Sequence, residues 1–238
     1  SCSPSLSKII NTSQSISSDL LNNKTPKNLY EPLNYILSNK GKQIRVIFAL
    51  LSYDMFGGTN SENLKEIVLA IEALHNFTLI HDDVMDNANL RRGNDTINKK
   101  WSNNQAILSG DVLLIQSYQH LLSSKCINLA VQEEFNKTAV QICEGQQLDM
   151  DLQKKTKASL KDYLEMINLK TGALFAFSFQ IGPILAGFNV KEQKKMRDIG
   201  ILLGQLFQIQ DDYLDLYGQC SDLGKLIGGD IIEMKKTF

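Results

Sequence analysis

Ile67-Val68-Leu69-Ala70-Ile71-Glu72-Ala73-Leu74-His75-Asn76-Phe77-Thr78-Leu79-Ile80-His81-Asp82-Asp83-Val84-Met85-Asp86 joins a strongly apolar helical run to an acidic cluster. Apolar side chains cover nearly the whole circumference of this helix, and a helix of that kind lies in the middle of a protein. The acidic cluster at its end is therefore not an ordinary solvated face. A second copy, Asp211-Asp212-Tyr213-Leu214-Asp215, also follows an apolar segment. Residues four apart on a helix stand one above the other, so Asp82 shares a face with Asp86, and Asp211 with Asp215. Two such faces make walls whose mutual repulsion calls for cations. Carboxylates with no Cys or His beside them favour a hard ion such as Mg²⁺, which usually completes its octahedron with phosphate oxygens and waters. A phosphate-bearing substrate is the first expectation.

Outward from the two clusters the chain reads as helix. Pro4, Pro26, Pro32 and Pro183 are its four prolines in 238 residues, so the strongest helix breaker is nearly absent. A peripheral helix and loop are expected over 5–27, then a helix carrying Leu33, Ile36 and Leu37 that Gly41 ends or loosens. The run IRVIFALLSYDMF follows and stops at Gly57-Gly58. Beyond the first acidic helix, 87–98 is polar and basic and reads as a loop, before helical stretches at 104–124, 127–152, 163–186 and 192–216. Val, Ile and Thr form no alternating short runs, so strands are not expected. The expectation is a single all-α domain without internal repeats.

Composition narrows the partners. A formal net charge of -1 argues against a general nucleic-acid or anionic-membrane surface. Cys2, Cys126, Cys143 and Cys220 are far apart and form no CxxC pair, so they read as reduced, mostly packed thiols. No uncharged apolar run reaches the roughly eighteen residues of a transmembrane helix, and the first residues carry no secretory pattern. A soluble cytoplasmic protein is expected.

Basic residues stand where the acidic walls need them. Lys42 and Arg45, three apart, are read as the first turn of a helix, where side chains and free N–H groups can hold an anion together. Arg91-Arg92-Gly93 follows the first acidic cluster, and arginine's planar fork suits phosphate. Lys170-Thr171-Gly172 interrupts an apolar helical stretch, a costly place for a cation unless something anionic faces it. Lys225, Lys235 and Lys236 flank Gly228-Gly229-Asp230. His81 reads as structural, and Asp149 as a helix end or a support for metal ligands.

In this order, the motifs Gly41–Arg45, the His75 region, the first DDxxD, Arg91-Arg92-Gly93, Gly145-Gln146-Gln147-Leu148-Asp149, Lys170-Thr171, Phe207-Gln208-Ile209-Gln210 before the second DDxxD, and GKLIGGDIIEMKK closely resemble the trans-prenyl diphosphate synthases of the polyprenyl synthetase family. They span 41 to 236. The resemblance implies a bundle of long helices around a central cavity, isoprenoid synthase in type. It also implies one domain over 1–238 whose further C-terminal helices, which in the family pack against the second acidic helix, are expected to be missing. The implied reaction joins isopentenyl diphosphate to an allylic diphosphate, with Mg²⁺ as cofactor and a homodimer as the assembly. Asp82, Asp86 and Asp211 would bind Mg²⁺, with Asp215 in support. Arg91, Lys170, Thr171, Gln208, Lys225 and Lys235 would contact the allylic substrate, and Lys42, Arg45, His75 and Arg92 the isopentenyl diphosphate. The allylic cation would lie beside the Thr171 and Gln208 oxygens, with proton loss to the released diphosphate.

In the family the growing tail runs down the helix that bears the first DDxxD. Phe77, Thr78 and Leu74 are therefore its expected floor, resembling synthases that stop at geranylgeranyl (C20) first and farnesyl (C15) second. Two alternatives stay open: a class I terpene cyclase, and a catalytically silent partner of an active synthase. The isopentenyl set argues against the first, and two intact acidic motifs against the second.

Overall fold

Short polar residues begin several of the helices. Asn60, Thr96, Ser102, Asn128 and Ser159 each accept a backbone N–H of the helical turn that follows, and Ser159 forms a reciprocal box with Asp162. Each such cap is worth about 1 kcal/mol, and burying one large apolar side chain about 1.5–3 kcal/mol. Packing therefore decides where the helices lie.

The computed structural model describes residues 6–20, 24–39 and 41–217. The helices are α1 (Leu6–Ser17), α2 (Lys27–Ser38), α3 (Ile44–Met55), α4 (Lys65–Met85), α5 (Ile97–Lys100), α6 (Asn103–Ser123), α7 (Leu129–Lys154), α8 (Leu160–Ile167), α9 (Ala173–Leu185) and α10 (Val190–Tyr217). Short 3₁₀ turns occupy Ser18–Leu20 and Ser61–Leu64. The all-α reading holds among the described residues, with one exception in the basic loop. There β1 (Leu90–Arg91) pairs antiparallel with β2 (Asn94–Asp95), a two-residue ribbon turned at Arg92 and Gly93, both at positive φ. Two residues are too short for the alternation by which a strand is recognised.

α9 is the central helix. Every residue from Ala173 to Ile184 is buried, as expected of a helix apolar on all sides. It packs on α3, α7 and α10, and α4 packs along α6. Ile67–Ile71, Ala73 and Leu74 of α4 are buried in the same apolar cluster as Leu174, Phe177 and Ile181 of α9. A smaller cluster of Leu152, Tyr163, Met166 and Ile167 ties α7 to α8.

Between α8 and α9 the chain winds one residue wider, as a π-helical turn over Asn168–Gly172. Such bulges re-aim side chains and are frequent at functional sites. Two glycines let other helices reach this backbone. A Cβ on Gly145 of α7 would fall 2.2 Å from the Lys170 nitrogen, and one on Gly204 of α10 would fall 2.7 Å from the Gly172 Cα. Backbone cannot yield as a flexible side chain can, so Gly145→Ala must push α7 away from Lys170. Denaturant unfolding should report a loss of about 1–3 kcal/mol for this variant, whereas an unchanged midpoint would mean that the contact has slack.

Candidate active site

Burial makes Lys170 costly, and the structure supplies its partners. Lys170 Nζ donates to Asp82 Oδ1 on α4 at 2.8 Å and to Asp149 Oδ2 on α7 at 2.6 Å. The next residue turns the other way: Thr171 Oγ1 donates to Gln208 Oε1 on α10 at 2.8 Å. Neighbouring residues of the π turn thus touch both acidic helices. Gln208 Nε2 in turn donates to Asp212 Oδ1 at 2.8 Å, and the buried Tyr163 hydroxyl donates to Asp212 Oδ2.

The two clusters divide their carboxylates between exposed and buried roles. In the first, Asp83 is buried and accepts from Arg91 Nε and Nη2 at 3.0 and 2.6 Å, while Asp82 and Asp86 stay half-buried. Burial opposes the Arg91 charge, but the charge and hydrogen bonds of Asp83, with Asp82 and Asp86, push its pKa up. Arg91 Nη2 also lies 3.6 Å from Asp82 Oδ2. In the second, Asp212 is buried and Asp211 exposed. Asp215 lies on α10, but its side chain, like Lys225 and Lys235, falls outside the described residues.

A second cationic group gathers around His75, about two turns before Asp82 on α4. Arg45 on α3 stacks over the Phe175 ring at 4.5 Å to the centroid and donates from Nη1 to His75 Nε2 at 3.3 Å. A guanidinium only donates, so His75 accepts at Nε2 and carries its proton on Nδ1. Burial pushes Arg45 down to about 10 against the pull of Glu72 and Asp211. Burial, with Arg45, Arg92 and Arg91 nearby, holds His75 well below the ordinary imidazole value. His75 is therefore a neutral hydrogen-bonding group.

Arg92 Nη1 donates to the Asn39 carbonyl at 2.8 Å, and its guanidinium lies against Gly41. Gln43 and Arg92 both take the left-handed backbone, φ 51° and 53°, strain of about 1 kcal/mol or more that persists where surroundings impose it. Gln43 Nε2 and Arg45 Nε are buried donors without a partner among the described residues. Lys42 is exposed and precedes α3, with Gln43 as its N-cap. The expectation that Lys42 lies on the first helical turn is thus corrected: the left-handed Gln43 delays the helix to Ile44.

Lower on α4, Leu74 is buried, Phe77 half-buried with its ring 4.7 Å from that of His81, and Thr78 Oγ1 donates to the His75 carbonyl at 2.7 Å. His81 Nε2 lies 3.1 Å from the Ile107 carbonyl and 3.6 Å from Asp111, which fits its structural reading. Sequence reasoning assigned no role to Asp83, Tyr163 or Asp212. The repeat of the DD pair was the one available signal for the two aspartates, and nothing along the chain marked Tyr163.

The carboxylates fit a hard cation. They offer only oxygen, and among the described residues no three Asp, Glu, His or Cys side chains converge into a closed metal site. Mg²⁺ held by few carboxylates usually completes its octahedron with phosphate oxygens and water. No helix among the described residues is long and apolar enough to cross a membrane.

A helical bundle whose two acidic helices are joined through one π turn, with Lys170, Arg91 and Arg45 close by, has the form of a prenyltransferase of the isoprenoid synthase fold. The chain matches the Polyprenyl synthetase family over residues 26–238 and belongs to it. It is 38% identical over 237 residues to the geranylgeranyl diphosphate synthase of Sulfolobus acidocaldarius, covering 97% of this chain and 71% of that enzyme. A crystal structure of a geranylgeranyl pyrophosphate synthase superposes with a TM-score of 0.91 at 41% identity, covering 99% of this chain and 72% of that one. The polyprenyl synthase of Caulobacter crescentus, solved with calcium and isoprenyl diphosphate, gives a TM-score of 0.87 at 28% identity and covers 100% and 73% of the two chains.

The neutral state of His75 has a measurable consequence. Its folded pKa lies below the value of about 6.5 in the unfolded chain, so acidification protonates the unfolded state first. Stability from this group is present above about pH 6.5 and is lost as pH falls below it. His75→Gln should therefore show a smaller fall in Tm between about pH 7.5 and about pH 5.5 than the parent; an equal fall would place the acid sensitivity elsewhere.

Proposed function

We propose that this protein catalyses Mg²⁺-dependent, head-to-tail condensation of isopentenyl diphosphate with an allylic diphosphate, with geranylgeranyl diphosphate favoured over farnesyl as product. The observation that carries this reading is the π turn, which sets Lys170 on Asp82 and Thr171 on Gln208. One cation and one pair of polar oxygens thereby stand at the junction of both acidic walls.

The allylic diphosphate would lie between α4 and α10, with Arg91 and Lys170 as its described cationic contacts and Lys225 and Lys235 as the expected ones beyond. Mg²⁺ held by Asp82, Asp86 and Asp211, with Asp215 in support, supplies the charge neutralisation that lets diphosphate leave. Thr171 and Gln208 present oxygen dipoles to the allylic cation, where fixed dipoles act more strongly than water. Lys42, Arg45, Arg92 and neutral His75 would bind isopentenyl diphosphate beside it, about two turns before Asp82 on α4, and the spare Gln43 and Arg45 donors support an anion there. No nucleophilic side chain is required. The C–O bond breaks with its electron pair on diphosphate, the isopentenyl double bond supplies the new C–C bond, and the lost proton passes to the departing diphosphate.

A cytoplasmic homodimer is the proposed state. Leu108, Ile115 and Leu122, seven apart along α6, are more than half exposed, a stripe suited to a second helix. Leu74, Phe77 and Thr78 are the proposed floor under the growing chain.

Incubation with labelled isopentenyl diphosphate and a farnesyl or geranyl starter should yield labelled C20 chains only when Mg²⁺ is present. Unlabelled hydrocarbon would point to cyclase chemistry, and no turnover of either kind to a silent partner. In the same assay Phe77→Ala should lengthen the product by one or more C5 units, and an unchanged length would remove Phe77 from the floor.

A further inference from the structure

Tyr163, Asp212, Gln208 and Thr171 form one continuous hydrogen-bond chain across α8, α10 and the π turn. Its direction is fixed at one end by chemistry. An ionised carboxylate can only accept, so Asp212 takes the Tyr163 hydroxyl at one oxygen and the Gln208 amide nitrogen at the other. With its nitrogen committed to Asp212, Gln208 must turn its oxygen to Thr171, and the Thr171 hydroxyl must donate to it. The Thr171 proton is thereby occupied, and its oxygen lone pairs are left for whatever lies before it. Tyr163 cannot drift, because its ring is locked in the small core that joins α7 to α8. Tyr163, Asp212 and Thr171 are all buried, so water does not compete for these bonds.

We propose that Tyr163 and Asp212 are positioning residues that set the polarity of the Gln208–Thr171 pair, so that oxygens rather than N–H or O–H groups face the developing allylic cation. This inference rests on the reading above for the identity of that cation, while the polarity itself does not depend on it. Asp212 would act through Gln208 and not as a metal ligand, which separates it from its neighbour Asp211. The same chain also explains why the second aspartate of the cluster is buried while the first is exposed.

The polarity can be inverted and restored without changing shape. In Asp212→Asn the new amide must donate one bond, either to Gln208, which then turns over and sends its own N–H groups toward Thr171, or to the Tyr163 hydroxyl, which then becomes an acceptor; either way the charge that fixes the polarity is lost. The paired variant Asp212→Asn with Gln208→Glu moves the charge four residues along α10 and restores every donor and acceptor. Tyr163 again donates to the side-chain oxygen at position 212, the amide nitrogen there donates to the carboxylate at position 208, and Thr171 donates to that same carboxylate. Asp212→Asn alone should lower kcat by on the order of 10- to 100-fold, with KM for isopentenyl diphosphate little changed, and the paired variant should recover most of that loss. Thermal unfolding gives a readout independent of any reaction. Each single change should lower Tm by about 2–4 °C or more, and the pair should return close to the parent. Additive losses in Tm would overturn the proposed polarity whether or not the parent is active. Coupled Tm values with no recovery of kcat would reduce the chain to a structural tie. Tyr163→Phe, which keeps the ring, should lower kcat in the same sense as Asp212→Asn, and an unchanged kcat would remove Tyr163 from the positioning role.

Discussion

The Lys170 ammonium, held between Asp82 of α4 and Asp149 of α7, is the interaction on which the acidic end of the bundle depends. A lysine so placed on a largely buried segment would be strongly unfavourable without an anionic partner, and either carboxylate without the lysine would face other negative charge. Together they let a polar cluster sit where the surrounding sequence is apolar. The π turn then adds the second connection, because Thr171 faces α10 as Lys170 faces α4. One wide turn of helix thus sets two acidic helices in register, with Gly145 and Gly204 admitting α7 and α10 against its backbone.

Each DD pair does two jobs with adjacent residues. Its first carboxylate is the more accessible of the two, while the second turns inward and fixes a neighbouring group: Asp83 holds Arg91, and Asp212 holds Gln208. Successive helix positions are about 100° apart, which separates the accessible and the buried roles. The Arg45–His75–Arg92 group follows a different principle. Its histidine is neutral, and its arginines carry the charge, one stacked on Phe175 and the other folded over Gly41.

Much of this was legible along the chain. The apolar circumference of Ile67–Ile80 announced a buried helix, and the acidic clusters at Asp82 and Asp211 do lie on the two helices that the π turn joins. The misplaced cation at Lys170 announced that an anion must face it, and two do. What escaped were features made by the meeting of distant segments. The left-handed Gln43 removes Lys42 from the helix, the two-residue ribbon shapes the Arg91-Arg92 loop, and the Tyr163 hydroxyl reaches Asp212 across 49 positions of sequence. A π turn has no period that sequence patterning detects, since it departs from the helix by a single residue.

The most direct test is a crystal structure of the protein with Mg²⁺ and inorganic diphosphate. Diphosphate should lie between α4 and α10 in contact with Lys170 Nζ, with ions bridging it to Asp82 on one wall and Asp211 on the other. Diphosphate bound away from Lys170, or ions reaching only one of the two acidic helices, would contradict a single site organised by the π turn.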